Sequence, residues 1–153
     1  MAGSKSNYLE NEILDHILGG QDLPYSPPAN IYVGLHTGMN ALGDAGNDDP
    51  IFVASEVISG ASNYSRVQVA NDSAHWAPAT NGVKSNSQTI QFPTASGNWT
   101  SLTETGLFIR YAGLYDAPAG GNLLFWADLQ VPKPVTQDDT LSIPAGGLVV
   151  TED

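Results

Sequence analysis

The sequence contains no cysteine. This excludes disulfide staples, thiolate zinc sites and cysteine nucleophiles. It is also poor in positive charge, with 5 Lys and Arg against 16 Asp and Glu and a net charge of −11. Nucleic acid and anionic membranes are bound through clustered Lys and Arg, so neither is expected as a partner. Charged residues of either sign make up 14% of the chain, against about 25% in an average domain. No apolar run approaches the roughly 20 residues of a bilayer-spanning helix. The segment Met1-Ala2-Gly3-Ser4-Lys5-Ser6 is not followed by the apolar stretch of a signal peptide, so synthesis in a cytoplasm is expected.

What the chain does have is turn-forming residues. Its 153 residues include 16 Gly and 10 Pro, and much of its polarity comes from Ser, Thr, Asn and Gln. The length suits about one domain, large enough to bury roughly 68–70% of its unfolded surface. So many breakers leave little room for long helices and favour many short strands.

One segment reads as a helix. Asn7 is the expected N-cap, with Glu10 three residues on as in a capping box. Leu9, Ile13, Leu14, Ile17 and Leu18 recur at helical spacing, Glu10, Asn11, Glu12 and Asp15 fill the opposite face, and Gly19-Gly20 supplies the stop. About three turns do not persist alone in water. The helix must dock on its own domain or on a neighbouring subunit.

Downstream, residues 31–36, 64–69, 88–92, 107–111, 122–130, 140–143 and 148–151 alternate as strands, and 51–59 could carry another short one. Pro93 stops one strand, and Pro132 and Pro134 are expected to end another. Ala117–Gly121 and Pro144–Gly147 read as connections between strands, and residues 38–50, rich in Gly, Asn and Asp, as a long exposed loop. The expected fold is mainly β: an antiparallel, jelly-roll-like β-sandwich of about eight short strands with one short N-terminal α-helix. Residues 1–20 are expected to form a helical arm and residues 21–153 a single β-sandwich domain.

Motifs that carry chemistry are scarce. His16, His36 and His75 show no metal-ligand spacing. Gly60-Ala61-Ser62-Asn63 falls short of a nucleophile elbow. Asp44, Asp48 and Asp49 cluster in the long loop without the EF-hand pattern, so a solvated acidic loop is preferred to a calcium site. Glu104, Asp116 and Asp128 lie in or near strands, but nothing pairs them for glycoside cleavage. Phosphate-binding and dinucleotide fingerprints are absent. No catalytic residue, cofactor or metal is therefore expected. Trp76, Trp99, Trp126, Tyr25, Tyr32 and Tyr64 could form a sugar-binding platform, though scattered aromatics in a β-sandwich are more often core or interface anchors. The sequons at Asn63, Asn71 and Asn98 carry little meaning without secretion.

Several runs occur in an ordered series. They are Asn7–Glu10 and Ile13–Gly19, then Ile31–Thr37, Ser55–Val57 and Tyr64–Val67. Ser87–Pro93, Trp99, Thr105–Phe108, Gly121–Trp126 and Asp139–Gly146 follow. Together they resemble a family of small structural proteins of tailed bacteriophages, labelled tail fibre or minor tail protein. The resemblance covers nearly the whole chain. Loop 38–50 and Ile109–Tyr115 depart from it, at places where a sandwich presents loops. It implies a non-enzymatic virion component made in the host cytoplasm. The expected role is capsid decoration (cement) as a homotrimer, with the major capsid protein or tail proteins of the virion as partners, and with tail fibre or minor tail protein and host-glycan binding as alternatives. Tyr8, Leu9, Ile13, Leu14, Ile17 and Leu18 are the expected assembly surface, since a short amphipathic helix is a suitable arm for subunit contact.

Overall fold

The computed structural model describes residues 3–19, 26–37, 55–101 and 108–151. The elements are β1 (Gly3–Lys5), α1 (Asn7–Gly19), β2 (Asn30–His36), a 3₁₀ turn (Ala61–Asn63), β3 (Val67–Ala70), β4 (Val83–Ser85), β5 (Ile90–Gln91), β6 (Phe108–Tyr115), β7 (Leu123–Pro134), β8 (Ser142–Ile143) and β9 (Val149–Thr151). All strand pairings are antiparallel, in a five-stranded sheet of order β1-β7-β6-β2-β3 and two ribbons, β4-β9 and β5-β8. The mainly β, antiparallel class expected from the sequence is the one observed, and the layering is compatible with a jelly-roll-like arrangement.

Alternation decides which way each strand faces. Val33 lies opposite Leu114 and Leu35 opposite Ala112, and all four are buried in the main core. That inner face packs under the ribbon layer. There Trp99 is fully buried with its ring 5.2 Å from Tyr64 and 6.2 Å from Phe92, both edge-on. The Trp99 indole N–H donates to the Ser62 carbonyl at 2.9 Å, which satisfies its one polar atom. Asn86, buried in the ribbon layer, holds two connections together. Its amide donates to Gln88 and Pro144 carbonyls, and its side-chain oxygen accepts from the Leu148 N–H.

Three local expectations need correction. The helix cap is Ser6, one residue before Asn7: the Ser6 hydroxyl accepts the Leu9 N–H at 3.3 Å and donates to the Leu123 carbonyl. Its backbone N–H also donates to Leu124 at 2.9 Å, so one residue both starts the helix and ties it to β7. Second, β7 runs through Pro132 to Pro134. β7 is bulged there: its four residues 129–132 stand opposite Arg110 of β6 alone, since Ile109 pairs with Lys133 but Tyr111 with Asp128. β1 covers only Phe125–Ala127 on the other side of β7. Proline's missing donor is tolerated at such a bulge and edge. Third, β1 and β4 are extra strands, each three residues long, too short for alternation to reveal. The loop at 38–50 lies outside the described residues. Of 51–59, the described part forms single bridges, His36 to Glu56 and Val57 to Ser101.

Candidate functional site

The outer face of the sheet carries Tyr32, Gly34 and His36 on β2, opposite Tyr115, Gly113 and Tyr111 on β6. Gly34 and Gly113 are direct partners, so the middle of this face has no side chains of its own. Glu56 pairs with His36 at the β2 edge. Arg66 reaches across the vacant middle. Its guanidinium grips Glu56 through Nε–Oε1 at 2.8 Å and Nη2–Oε2 at 2.7 Å. The Arg66 Cζ lies 3.5 Å from the centre of the Tyr115 ring, and Nη1 donates to the Ala117 and Gly120 carbonyls at 2.8 Å each. One side chain, 4% exposed, thus joins the β3 edge to the β6–β7 hairpin. The two glycines make this possible. A Cβ on Gly34 would sit 2.8 Å from Glu56 Oε1, and one on Gly113 would sit 2.8 Å from the Tyr115 ring and 3.0 Å from His36 Nε2.

The cluster continues inward. The Tyr115 hydroxyl meets His36 Nε2 at 2.9 Å, and Ser55 Oγ meets Nδ1 at 3.2 Å. A neutral imidazole has one donor and one acceptor, and each has a partner here. Thr37 donates to Ser101 Oγ at 2.6 Å. The Tyr64 hydroxyl accepts the Leu35 N–H at 2.8 Å and donates to Glu56 at 3.1 Å. It fills the gap where β2 changes neighbour from β3 to the segment at Glu56, so the Leu35 donor is not stranded.

The electrostatics follow the geometry. Burial, reinforced by the Glu56 carboxylate, pushes the Tyr64 and Tyr115 phenols well above their ordinary range. Burial alone would lower Arg66, but the Glu56 hydrogen bonds and charge outweigh it and hold the guanidinium above its ordinary value. The cluster contains a Ser–His contact, yet Ser55 and His36 are 1% and 0% exposed and every partner named is internal. Chemically the arrangement is a clamp. It satisfies buried charge and fixes the Asp116–Asn122 turn, where Asp116 accepts the Asn122 N–H at 2.7 Å and its side-chain amide at 2.8 Å.

The residues singled out from sequence are scattered. His16 is exposed on α1, and His75 pairs with Asp72 at 2.7 Å on the surface, which lowers the Asp72 carboxyl. Among the described residues no three His, Asp or Glu side chains converge to hold a metal. Asp44, Asp48, Asp49, Glu104 and Tyr25 lie outside the described residues. Trp76, Trp99 and Tyr64 are buried in the core and present no platform, whereas Tyr32 and Trp126 are half-buried on the outer face with Tyr111. The proposed helical contact residues divide along α1. Leu9 is buried in the core and Tyr8 and Ile13 pack against it, while Leu14, Ile17 and Leu18 are 54%, 67% and 80% exposed.

Sequence reasoning missed Glu56, Arg66, Tyr115 and Asn86. Two signals pointed there. Gly34 interrupts an otherwise strong strand, which marks close approach of another group. Arg66 is one of only 5 basic residues and falls within the alternating run 64–69.

Over residues 4–151 the chain matches a family model described as Podophage GP4 fiber I protein gp80. No curated protein matches it.

Proposed function

We propose that this chain, which belongs to the podophage fibre I protein family and is thus a phage structural protein, is a fibre subunit that assembles as a homotrimer through the C-terminal half of α1. The observation that carries this reading is the uncovered stripe of Leu14, Ile17 and Leu18. Three large aliphatic side chains at helical spacing lose favourable burial energy in water, and contiguous exposed apolar surface marks contact sites. The other half of the same helix is spent on the fold, so the assembly surface expected at Tyr8, Leu9, Ile13, Leu14, Ile17 and Leu18 narrows to the last three. The clamp beneath the hairpin supports a structural rather than a catalytic role, because its polar groups face one another.

Light scattering of the purified chain tests the oligomer. A trimer that Ile17→Glu converts to monomer without loss of β-structure supports it, and a wild-type monomer at high concentration sinks it. Copy number per virion separates fibre from shell. A small multiple of three or six agrees with the fibre. A count comparable with the major capsid protein would favour the second reading, capsid decoration, which the small acidic sandwich also suits. Host-glycan binding is the third reading and rests on the half-buried Tyr32, Tyr111 and Trp126. Loss of glycan-array signal in Trp126→Ala would favour it.

A further inference from the structure

The core is not filled where the β4–β9 ribbon meets the five-stranded sheet. A cavity of about 270 Å³ lies there, with Ile31, Trp76, Leu114, Phe125 and Val150 among its walls and Lys84 and Asn71 as its polar residues. Leu114 and Phe125 face each other across β6 and β7, and Ile31, Trp76 and Leu114 are buried in the main core. Lys84 and Asn71 are exposed and mark the mouth. The Trp76 indole N–H already donates to the Ala70 carbonyl at 3.1 Å, so the one polar side-chain atom of the inner wall is occupied. An empty apolar cavity costs stability in proportion to its volume, and apolar walls hold water poorly.

Lys84 breaks the pattern of the ribbon. It stands directly opposite Val150 in register, so both side chains leave the ribbon on the same face, and Val150 packs against the core. Alternation calls for an apolar residue at 84. Instead the valine is its neighbour Val83, which is 39% exposed. One of only 5 basic residues in a chain of net charge −11 is thus set on the core-side face of a strand. Its ammonium donates to the Ala77 carbonyl at 2.9 Å and makes no ion pair among the described residues. An ammonium has three donors, so two remain for another acceptor.

We propose that this cavity binds a small amphiphilic carboxylate, with its aliphatic body against Ile31, Trp76, Leu114 and Phe125 and its carboxylate at Lys84. Ligand sites are mostly apolar hollows with a few polar groups that fix orientation. Here the apolar wall sets the body of the ligand and the single cation at the mouth sets the sign of its head. A void of roughly 150 Å³ admits benzene, so one of about 270 Å³ suits a body of about eight to ten carbons. The proposal is independent of the oligomer reading above, since neither α1 nor its exposed stripe lines the cavity.

Isothermal titration calorimetry of the full chain tests this with octanoate, octan-1-ol and octylammonium, each kept below the concentration at which it forms micelles. We expect one saturable site that takes octanoate about fivefold more tightly than octan-1-ol, the margin of one exposed ion pair, and octylammonium least tightly. Lys84→Met should erase that margin while octan-1-ol still binds. Val150→Trp should fill the cavity and weaken both ligands at least about tenfold. No saturable binding of octanoate by the wild type overturns the proposal. So does binding that Val150→Trp leaves unchanged, which puts the ligand elsewhere. A Lys84→Met variant that aggregates, beside a wild type that ignores octanoate, would show that the inward lysine guards the ribbon edge against pairing instead. Should Val150→Trp lose its β-structure by circular dichroism, Lys84→Met decides alone: loss of the octanoate margin supports the site, and a margin kept in full overturns it.

Discussion

On the inner face of the five-stranded sheet, Val33, Leu35, Ala112 and Leu114 are buried through apolar contact with a layer that includes Phe92 and Trp99. On the outer face, His36 and Tyr115 are buried just as deeply, but beside a bidentate Arg66–Glu56 pair and a ring-stacked guanidinium. The inner solution is tolerant, because dispersion and hydrophobic burial have no preferred direction. The outer solution depends on geometry: each buried charge must meet its partner or carry a large desolvation cost. The same sheet therefore has one face stabilised by volume and another stabilised by bond geometry.

The difference predicts different responses to mutation. Trp99→Ala on the inner side should cost about 3–5 kcal/mol in chemical denaturation, since it leaves a cavity and removes two ring contacts. Arg66→Met on the outer side should cost a similar amount, about 3–5 kcal/mol, by stranding Glu56. Here the faces part. Adding Glu56→Leu to Arg66→Met should recover much of the loss, because two apolar groups need no partner. A double variant no more stable than Arg66→Met would show that the hairpin contacts to Ala117 and Gly120, not the ion pair, dominate.

Gly113→Ala should cost about 1–3 kcal/mol, because its Cβ would press on Tyr115, His36 and Leu123 at 2.8–3.0 Å. The alkaline limb sharpens the comparison further. Tyr64 and Tyr115 hold their protons in the fold above the value near 10 at which an unfolded tyrosine ionises. Above about pH 10 the unfolded chain therefore binds fewer protons than the folded one, and stability falls as pH rises. Tyrosinate absorbance for these two rings should appear only together with loss of the β circular-dichroism signal. An early, separate titration of all 6 tyrosines would contradict their burial. The smallest effect belongs to the surface: Asp72→Asn, which removes an exposed pair with His75, should stay within about 0.5 kcal/mol.

Legibility in the sequence follows the same division. Val33, Leu35 and Leu123 announce themselves by alternation, and Leu9 by helical spacing, because periodicity encodes a face without reference to distant residues. The clamp could not be read this way. Glu56 and Arg66 are ten positions apart and meet Tyr115 only after β2, β3 and β6 align, and nothing in a local window reports that register. Pro132 and Pro134 misled for a related reason. Whether a proline ends a strand depends on whether its neighbour needs the missing N–H, and at a bulged edge the neighbour does not. Ser6 escaped notice because its second bond runs to Leu123, 117 residues away.

By itself, then, the sequence determined the antiparallel β class, the short N-terminal helix, the absence of thiol chemistry and the acidic surface, all of which follow from composition and local period. Tertiary structure alone decided that α1 is half core and half surface, because burial depends on what the sheet places beneath each turn. It also decided that two facing glycines, Gly34 and Gly113, open the space in which a lone arginine can be buried. A glycine pair has no meaning until strand register puts its members opposite each other, and register is a property of the whole sheet.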